Sequence, residues 1–253
     1  MGLTVAVANQ KGGVGKTTVT LNLGAALGET GRRVLLIDLD PQACLSLALG
    51  GEEAPGFVDE MLLDGREVTE CLKAGILPGV DLLAARQELV AGELRLARRG
   101  DTQTQLKQAL GRLGGKYDFA FIDCPPSLGL LTINALVAAD YALIPVQSEY
   151  LALRGLTMIL RAIRTVREQW NPKLKIMGIL VSMYDPRTTL SEQVLDALRS
   201  RFGDELFKVV IRYSAWLKRS PMYHEAVLTT APGSTVADDY RKLAQEVAAY
   251  APG

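Results

Sequence analysis

Lys11-Gly-Gly-Val-Gly-Lys-Thr-Thr18, placed directly after the apolar run Leu3-Thr-Val-Ala-Val-Ala8, decides the fold of this chain. A glycine-rich turn that carries a strand into a helix presents consecutive backbone N–H groups, and a positive helix N-terminus, to a phosphate. In that pattern Lys16 supplies a point charge to the β- and γ-phosphates, and the Thr17 hydroxyl completes a magnesium shell. The strict pattern asks for glycine six residues before the lysine, where this chain has Gln10. Gly12, Gly13 and Gly15 lie closer in, and a second lysine, Lys11, opens the loop. The stretch is therefore a P-loop of a variant kind.

Working outward, apolar runs of strand length alternate with amphipathic runs of helix length. Strands are expected at 3–8, 33–37, 80–84, 118–122, 141–146, 175–182 and 206–211, and helices at 16–29, 86–98, 102–113, 130–138, 153–169, 190–202 and 234–250. Continuous apolar strands alternating with helices imply an α/β fold with a mostly parallel twisted sheet of about seven strands or more, covered by helices on both faces. Gly50-Gly51 with Pro55-Gly56, and Gly114-Gly115, mark loops. With no repeat or linker, residues 1–253 are expected to form a single domain. Ligands of such sheets bind beyond the carboxyl ends of the strands. Three polar segments fall there: 11–18, Asp38-Leu-Asp-Pro-Gln42 and Asp123-Cys-Pro-Pro-Ser127.

Bulk composition narrows the class. Hydrophobic residues make up 48% and charged residues 22% of 253, as in ordinary globular proteins. No apolar run is long enough for a membrane helix, and the first strand starts too early for a signal peptide. Cys44, Cys71 and Cys124 show no metal-binding spacing, which argues for a reducing cytoplasm and against zinc or an iron–sulfur cluster. His224 is the only histidine, so no catalytic dyad is built on it. The zero net charge is unevenly spread. Residues 154–220 carry 13 Lys/Arg against 6 Asp/Glu, a basic face on an otherwise acidic body.

The loop with its extra lysine resembles the deviant Walker A motif of the ParA/MinD ATPases, closest to the ParA/Soj partition type. Val34-Leu-Leu-Ile-Asp-Leu-Asp-Pro-Gln42 resembles that family's second motif, and Phe119-Ala-Phe-Ile-Asp-Cys-Pro-Pro-Ser127 its Walker B strand. The three lie in the family's order and spacing. The resemblance implies a slow, magnesium-dependent ATPase that closes face to face as a homodimer around two ATP molecules. It makes Asp123 the Walker B residue and places Asp38 near the magnesium shell beside Thr17, the aspartates acting directly or through water. Asp40, which Pro41 pushes into extended geometry, would position the attacking water. Lys11 would reach across to the partner subunit's phosphates, as an arginine finger does. With Lys11, Gly12, Gly13, Val14, Gly15, Lys16, Thr17 and Thr18 on the phosphates, the base would lie near Met183, Ile211 and Arg212. Met183 fits a base contact and a core position equally.

Partners follow from the same resemblance and from the basic segment. Arg161 and Arg164 share a helix face, and Arg187, Arg212, Lys218 and Arg219 follow them. A basic surface without a base-reading motif suits salt-sensitive, sequence-independent binding of duplex DNA. A ParB-like protein would stimulate hydrolysis, and the protein would be cytoplasmic and nucleoid-associated. The alternatives are positioning of a protein cargo, such as a chemoreceptor array or microcompartment, and MinD-like membrane regulation. The last helix lacks the lysine-rich and bulky apolar faces of a membrane anchor. Two segments depart from the family pattern. Ala43-Cys44 stands where partition ATPases often have Gly-Asn, and 211–221 reads Ile-Arg-Tyr-Ser-Ala-Trp-Leu-Lys-Arg-Ser-Pro where many relatives have a proline, then arginines and an acidic residue.

Overall fold

The computed structural model describes residues 2–100, 102–149 and 152–251, without the side chains of 152–154. Strand β1 (Leu3–Val7) passes through the glycine loop into α1 (Lys16–Glu29) and returns as β2 (Val34–Asp38). Short helices α2 (Cys44–Ala48), α3 (Val58–Asp64) and α4 (Val68–Cys71) precede the hairpin of β3 (Leu72–Leu77) and β4 (Val80–Leu83). Next come α5 (Leu89–Arg99), α6 (Gln105–Gly111), β5 (Phe119–Asp123), α7 (Leu130–Ala138) and β6 (Tyr141–Gln147). The chain continues with α8 (Ala152–Gln169), β7 (Lys175–Ser182), α9 (Thr189–Phe202), α10 (Trp216–Arg219), α11 (Val227–Thr230) and α12 (Thr235–Ala248).

The strands form one seven-stranded sheet in the order β3-β4-β2-β5-β1-β6-β7, parallel except for β3. Every residue of β1, β2 and β5 is buried, so these strands are apolar on both faces rather than alternating. Leu35, Ile37, Ala120, Ile122 and Ile144 enter the core under α7 and α8. Leu36, Phe119, Phe121, Val5 and Leu143 enter the core under α1 and α12. Each such large side chain contributes roughly 1.5–3 kcal/mol. Helix α1 lies close on the sheet edge, and a Cβ at Gly28 would stand 2.2 Å from the Pro78 carbonyl oxygen. Helices α9 and α12 start at side-chain caps: Thr188 accepts from the Ser191 N–H, and Ser234 from the Ala237 N–H.

The short helices α2, α3, α4, α10 and α11 were not expected, and two of the strands differ from expectation. The run 206–211 is not a strand. It follows the edge of β7, with the Phe207 and Ile211 N–H groups donating to the carbonyls of Ile179 and Val181. Between them, the Lys208 and Val209 N–H groups turn away to Glu246 on α12, at 3.1 and 2.9 Å, and the ladder is broken. The seventh strand is instead β3, an edge strand whose Leu-Lys-Ala-Gly-Ile-Leu sequence contains a single β-branched residue.

Candidate nucleotide-binding site

The register of the central strands aligns the three polar segments. Val7 of β1 and Asp38 of β2 both pair with Asp123 of β5, so the three loops that follow leave the sheet at one level. The glycine loop is anchored from both sides. Asn9 donates from Nδ2 to the Pro145 carbonyl at 2.7 Å and accepts the Lys11 N–H at 3.1 Å. Ser182 Oγ, at the end of β7, donates to the Val14 carbonyl at 2.7 Å. Gly15 caps α1 at φ 85°, a left-handed conformation that a side chain would strain. Lys16 is buried, and its ammonium donates to the Lys11 carbonyl at 3.4 Å. Burial lowers its pKa, and the Asp123 carboxylate pulls it back. An ammonium in this position has strong need of an anion.

Asp38 is fully buried but well served. Its Oδ1 accepts the Asp40 N–H at 3.1 Å, and Oδ2 accepts Ser46 N–H at 2.8 Å and Ser46 Oγ–H at 2.7 Å. Burial nonetheless pushes it up to about 6. Asp123 is different: both of its oxygens are buried with no hydrogen-bond partner. Burial, then the neighbouring Asp38 charge, raises its pKa well above the ordinary range, with Thr17 and Lys16 opposing. A buried carboxylate left open beside a P-loop threonine is a donor set that suits a hydrated divalent cation. Asp40 turns outward. Its Oδ1 accepts the Gln42 N–H at 2.9 Å, and the residue lines the cleft above the loop.

That cleft has a volume of about 450 Å³, within the range of small-molecule sites. Gly12, Gly13, Gly15, Lys16, Thr17 and Thr18 form its floor, with Asp40, Cys44 and Pro126 at one wall. Met183, Leu217, Pro221 and Glu225 complete the lining. Met183 has a positive φ of 54°, and its sulfur accepts from Gln147 Nε2 at 3.4 Å. Asp38, Asp123 and Val14 lie beneath the floor rather than in it.

Other expected residues are placed elsewhere. Ile211 is buried against β7, and Arg212 makes an ion pair with buried Asp239 of α12 through Nη2 at 2.5 Å and Nε at 2.9 Å. Neither lines the cleft, where Leu217, Ser220, Pro221 and Glu225 stand instead. Lys11 points away from the floor and donates to Glu149 Oε2 at 2.5 Å. Arg187 is exposed but paired with Asp185 at 2.7 Å. Among the described residues, Arg161, Arg164, Lys218 and Arg219 are exposed without an ion-pair partner. Lys218 stands over Tyr213, and Arg219 over Trp216. No described helix is long and apolar enough to cross a membrane. The wall at 217–225 was missed because it is built of helical turns too short to show a periodic pattern, α10 and the single 3-10 turn Ser220–Tyr223. Tertiary bonds hold it: Val227 N–H to Asn22 Oδ1 at 2.8 Å, and His224 Nδ1–H to the Leu47 carbonyl at 3.1 Å. Only Pro221 within the departing 211–221 stretch hinted at it.

The chain is similar to known proteins over nearly its whole length. A family model described as an AAA domain matches residues 2–176. The sporulation initiation inhibitor protein Soj of Bacillus subtilis is 43% identical over 98% of this chain and 99% of its own. The chromosome partitioning protein ParA of Caulobacter vibrioides is 41% identical over 96% of this chain and 92% of its own. Among solved structures, cobyrinic acid a,c-diamide synthase from Mycobacterium smegmatis with bound ATP analog and magnesium superposes with a TM-score of 0.84. It is 40% identical and covers 97% of this chain and 93% of its own.

Proposed function

The chain belongs to the ParA/Soj family of P-loop ATPases, and on that premise we propose that it is an ATP-switched partition ATPase. In this reading it binds ATP and Mg²⁺, closes as a homodimer around two nucleotides, and in that state binds duplex DNA without sequence preference. A ParB-like partner stimulates hydrolysis and release, and the protein works on the nucleoid. The carrying observation is the meeting of Asp40 with the P-loop floor in one cleft, above the open carboxylate of Asp123.

Each residue then has a task. The N–H groups of 12–18 and the Lys16 ammonium hold the phosphates. Thr17 and Asp123 would hold the magnesium shell, with Asp38 behind them. The metal, when bound, would supply charge neutralisation to the phosphates. Asp40, hydrogen-bonded only to the Gln42 N–H, presents a carboxylate oxygen to a water above the γ-phosphate and orients it. Met183 and the 217–225 wall enclose the base, and adenine is the expected one. Lys11 would exchange its Glu149 partner for the phosphates of the facing subunit.

The test is direct. Asp40→Ala is expected to bind ATP within about threefold of wild type and to lose hydrolysis by at least about 10²-fold, in line with removal of one positioned catalytic group. Turnover equal to wild type would remove Asp40 from the mechanism. The name of the Mycobacterium smegmatis neighbour supports a second class, in which turnover depends on a small-molecule acid rather than on DNA or a protein.

A further inference from the structure

At the amino ends of β1, β6 and β7, the opposite end of the sheet from the nucleotide cleft, lies a groove of about 780 Å³. Leu3, Tyr141, Leu174 and Tyr250 give it apolar surface. Arg167, Lys173 and Lys175 bring positive charge to it, against the single carboxylate of Asp140. The rings of Tyr141 and Tyr250 meet edge to face, with centroids 5.3 Å apart and planes at 75°. Tyr250 is 39% exposed, yet fixed by its hydroxyl, which donates to the Met177 carbonyl at 2.9 Å.

Arg167 of α8 is half-buried, and its Nε donates to the Leu174 carbonyl at 2.7 Å. Arg66, Arg86, Arg212 and Arg241 are half-buried as well, and each has a carboxylate, from Glu60, Asp59, Asp239 and Glu29. Arg167 has none among the described residues, and neither do the exposed Lys173 and Lys175. The turn that holds Arg167 is itself tied down. Buried Asn171 donates from Nδ2 to the Ala139 carbonyl at 2.7 Å, and the Leu174 N–H donates to the Asn171 carbonyl at 3.1 Å. The guanidinium is thus fixed through one N–H and offers the rest of its fork, an arrangement suited to a phosphate. Asp140 accepts the Thr4 N–H through Oδ2 at 2.9 Å, and its Oδ1 has no partner among the described residues. That oxygen can accept a ribose hydroxyl. We infer that this groove is a second nucleotide site, taking the phosphate on Arg167, Lys173 and Lys175 and the base against Tyr141 and Tyr250. A DNA duplex fits less well. Its phosphates would meet the lysines at the rim and leave the apolar floor uncovered.

The groove and the nucleotide cleft lie at opposite ends of the strands, so the two can be read separately, and the inference stands apart from the ATPase reading. The probe is mant-labelled GMP, which lacks the β- and γ-phosphates that the glycine loop holds. Unlabelled GMP and AMP, ribose 5-phosphate and a short DNA duplex serve as competitors. Binding is read by anisotropy in wild type and in Lys16→Ala, where the cleft has lost its phosphate-binding ammonium. The probe is expected to bind both proteins, to be displaced by GMP and AMP, and to protect 140–142 and 167–175 from hydrogen exchange. Binding should weaken at least about tenfold in Arg167→Gln and about threefold in Lys175→Gln, whose exposed side chain can change without disturbing the fold. Tyr250→Ala should bring GMP down to the affinity of ribose 5-phosphate, and Lys107→Gln, an exposed position on α6, should change nothing. No binding, binding lost in Lys16→Ala, equal binding by both charge variants, or protection elsewhere overturns the site. Ribose 5-phosphate competing as well as GMP overturns the role of the tyrosines. Displacement by duplex at lower concentration than by GMP makes the groove a DNA surface and overturns the inference too.

Discussion

Asp123 ends β5 with two buried oxygens and no hydrogen-bond partner, while Asp38, one strand away, has three N–H or O–H donors. The contrast sets the pH behaviour of the nucleotide-free protein. Both carboxyls titrate higher in the fold than in the unfolded chain, with Asp38 pushed up to about 6 by burial and Asp123 also raised. A raised folded value favours the protonated native state. The contribution is complete below the ordinary carboxylate range, near pH 4, and is lost as pH rises through about 6 and above. Asp123→Asn is therefore expected to be more stable than wild type near pH 7 by about 1–2 kcal/mol, and the gap should close toward pH 4. Denaturant unfolding at the two pH values checks this. The same variant should lose magnesium-dependent turnover, because the buried negative charge is gone and an NH2 donor stands in place of one carboxylate oxygen. Lys11 lies at the other extreme. Its bond to Glu149 is half-exposed, with side chains 29% and 50% accessible, so Glu149→Gln should change stability by less than about 1 kcal/mol.

At the level of elements, α12 straps the sheet from one side. Val236, Tyr240, Leu243 and Val247 are buried against the α1 side of the sheet, and Asp239 receives three N–H groups from Arg212. Arg212→Ala should cost about 1–3 kcal/mol by leaving Asp239 buried and unpaired, with ATP affinity unchanged. Chemical denaturation and nucleotide titration distinguish that outcome from a role in base binding, which would reverse the pattern. These elements also show what was legible in the sequence. The P-loop, the Asp38–Asp40 loop and Asp123 are contiguous segments at the ends of apolar strands, so local pattern alone places them. The wall at 217–225 was not legible, because it reaches the cleft through Asn22–Val227 and Leu47–His224 contacts between distant parts of the chain. Segment 206–211 read as a strand by composition and lost its ladder to the Glu246 carboxylate, a partner no local window contains. Edge strand β3 escaped for the opposite reason, since pairing with β4 and not propensity makes it a strand.

For the whole molecule, the basic segment divides into cations already used and cations still free. Arg187 and Arg212 are held by Asp185 and Asp239, whereas Arg161, Arg164, Lys218 and Arg219 face solvent. Phosphate contacts weaken steeply with salt. Replacing Lys218 and Arg219 together by alanine should therefore weaken DNA binding and flatten its salt dependence, without changing ATP affinity. Filter binding at several salt concentrations reads both quantities. The central claim is that nucleotide state governs DNA affinity. Its most direct test is binding of non-specific duplex DNA by Asp40→Ala protein with ATP, with ADP and without nucleotide, at low and high salt. Binding only with ATP, and lost at high salt, is the predicted result. Equal binding in all three states, or none while ATP itself still binds, would contradict the account.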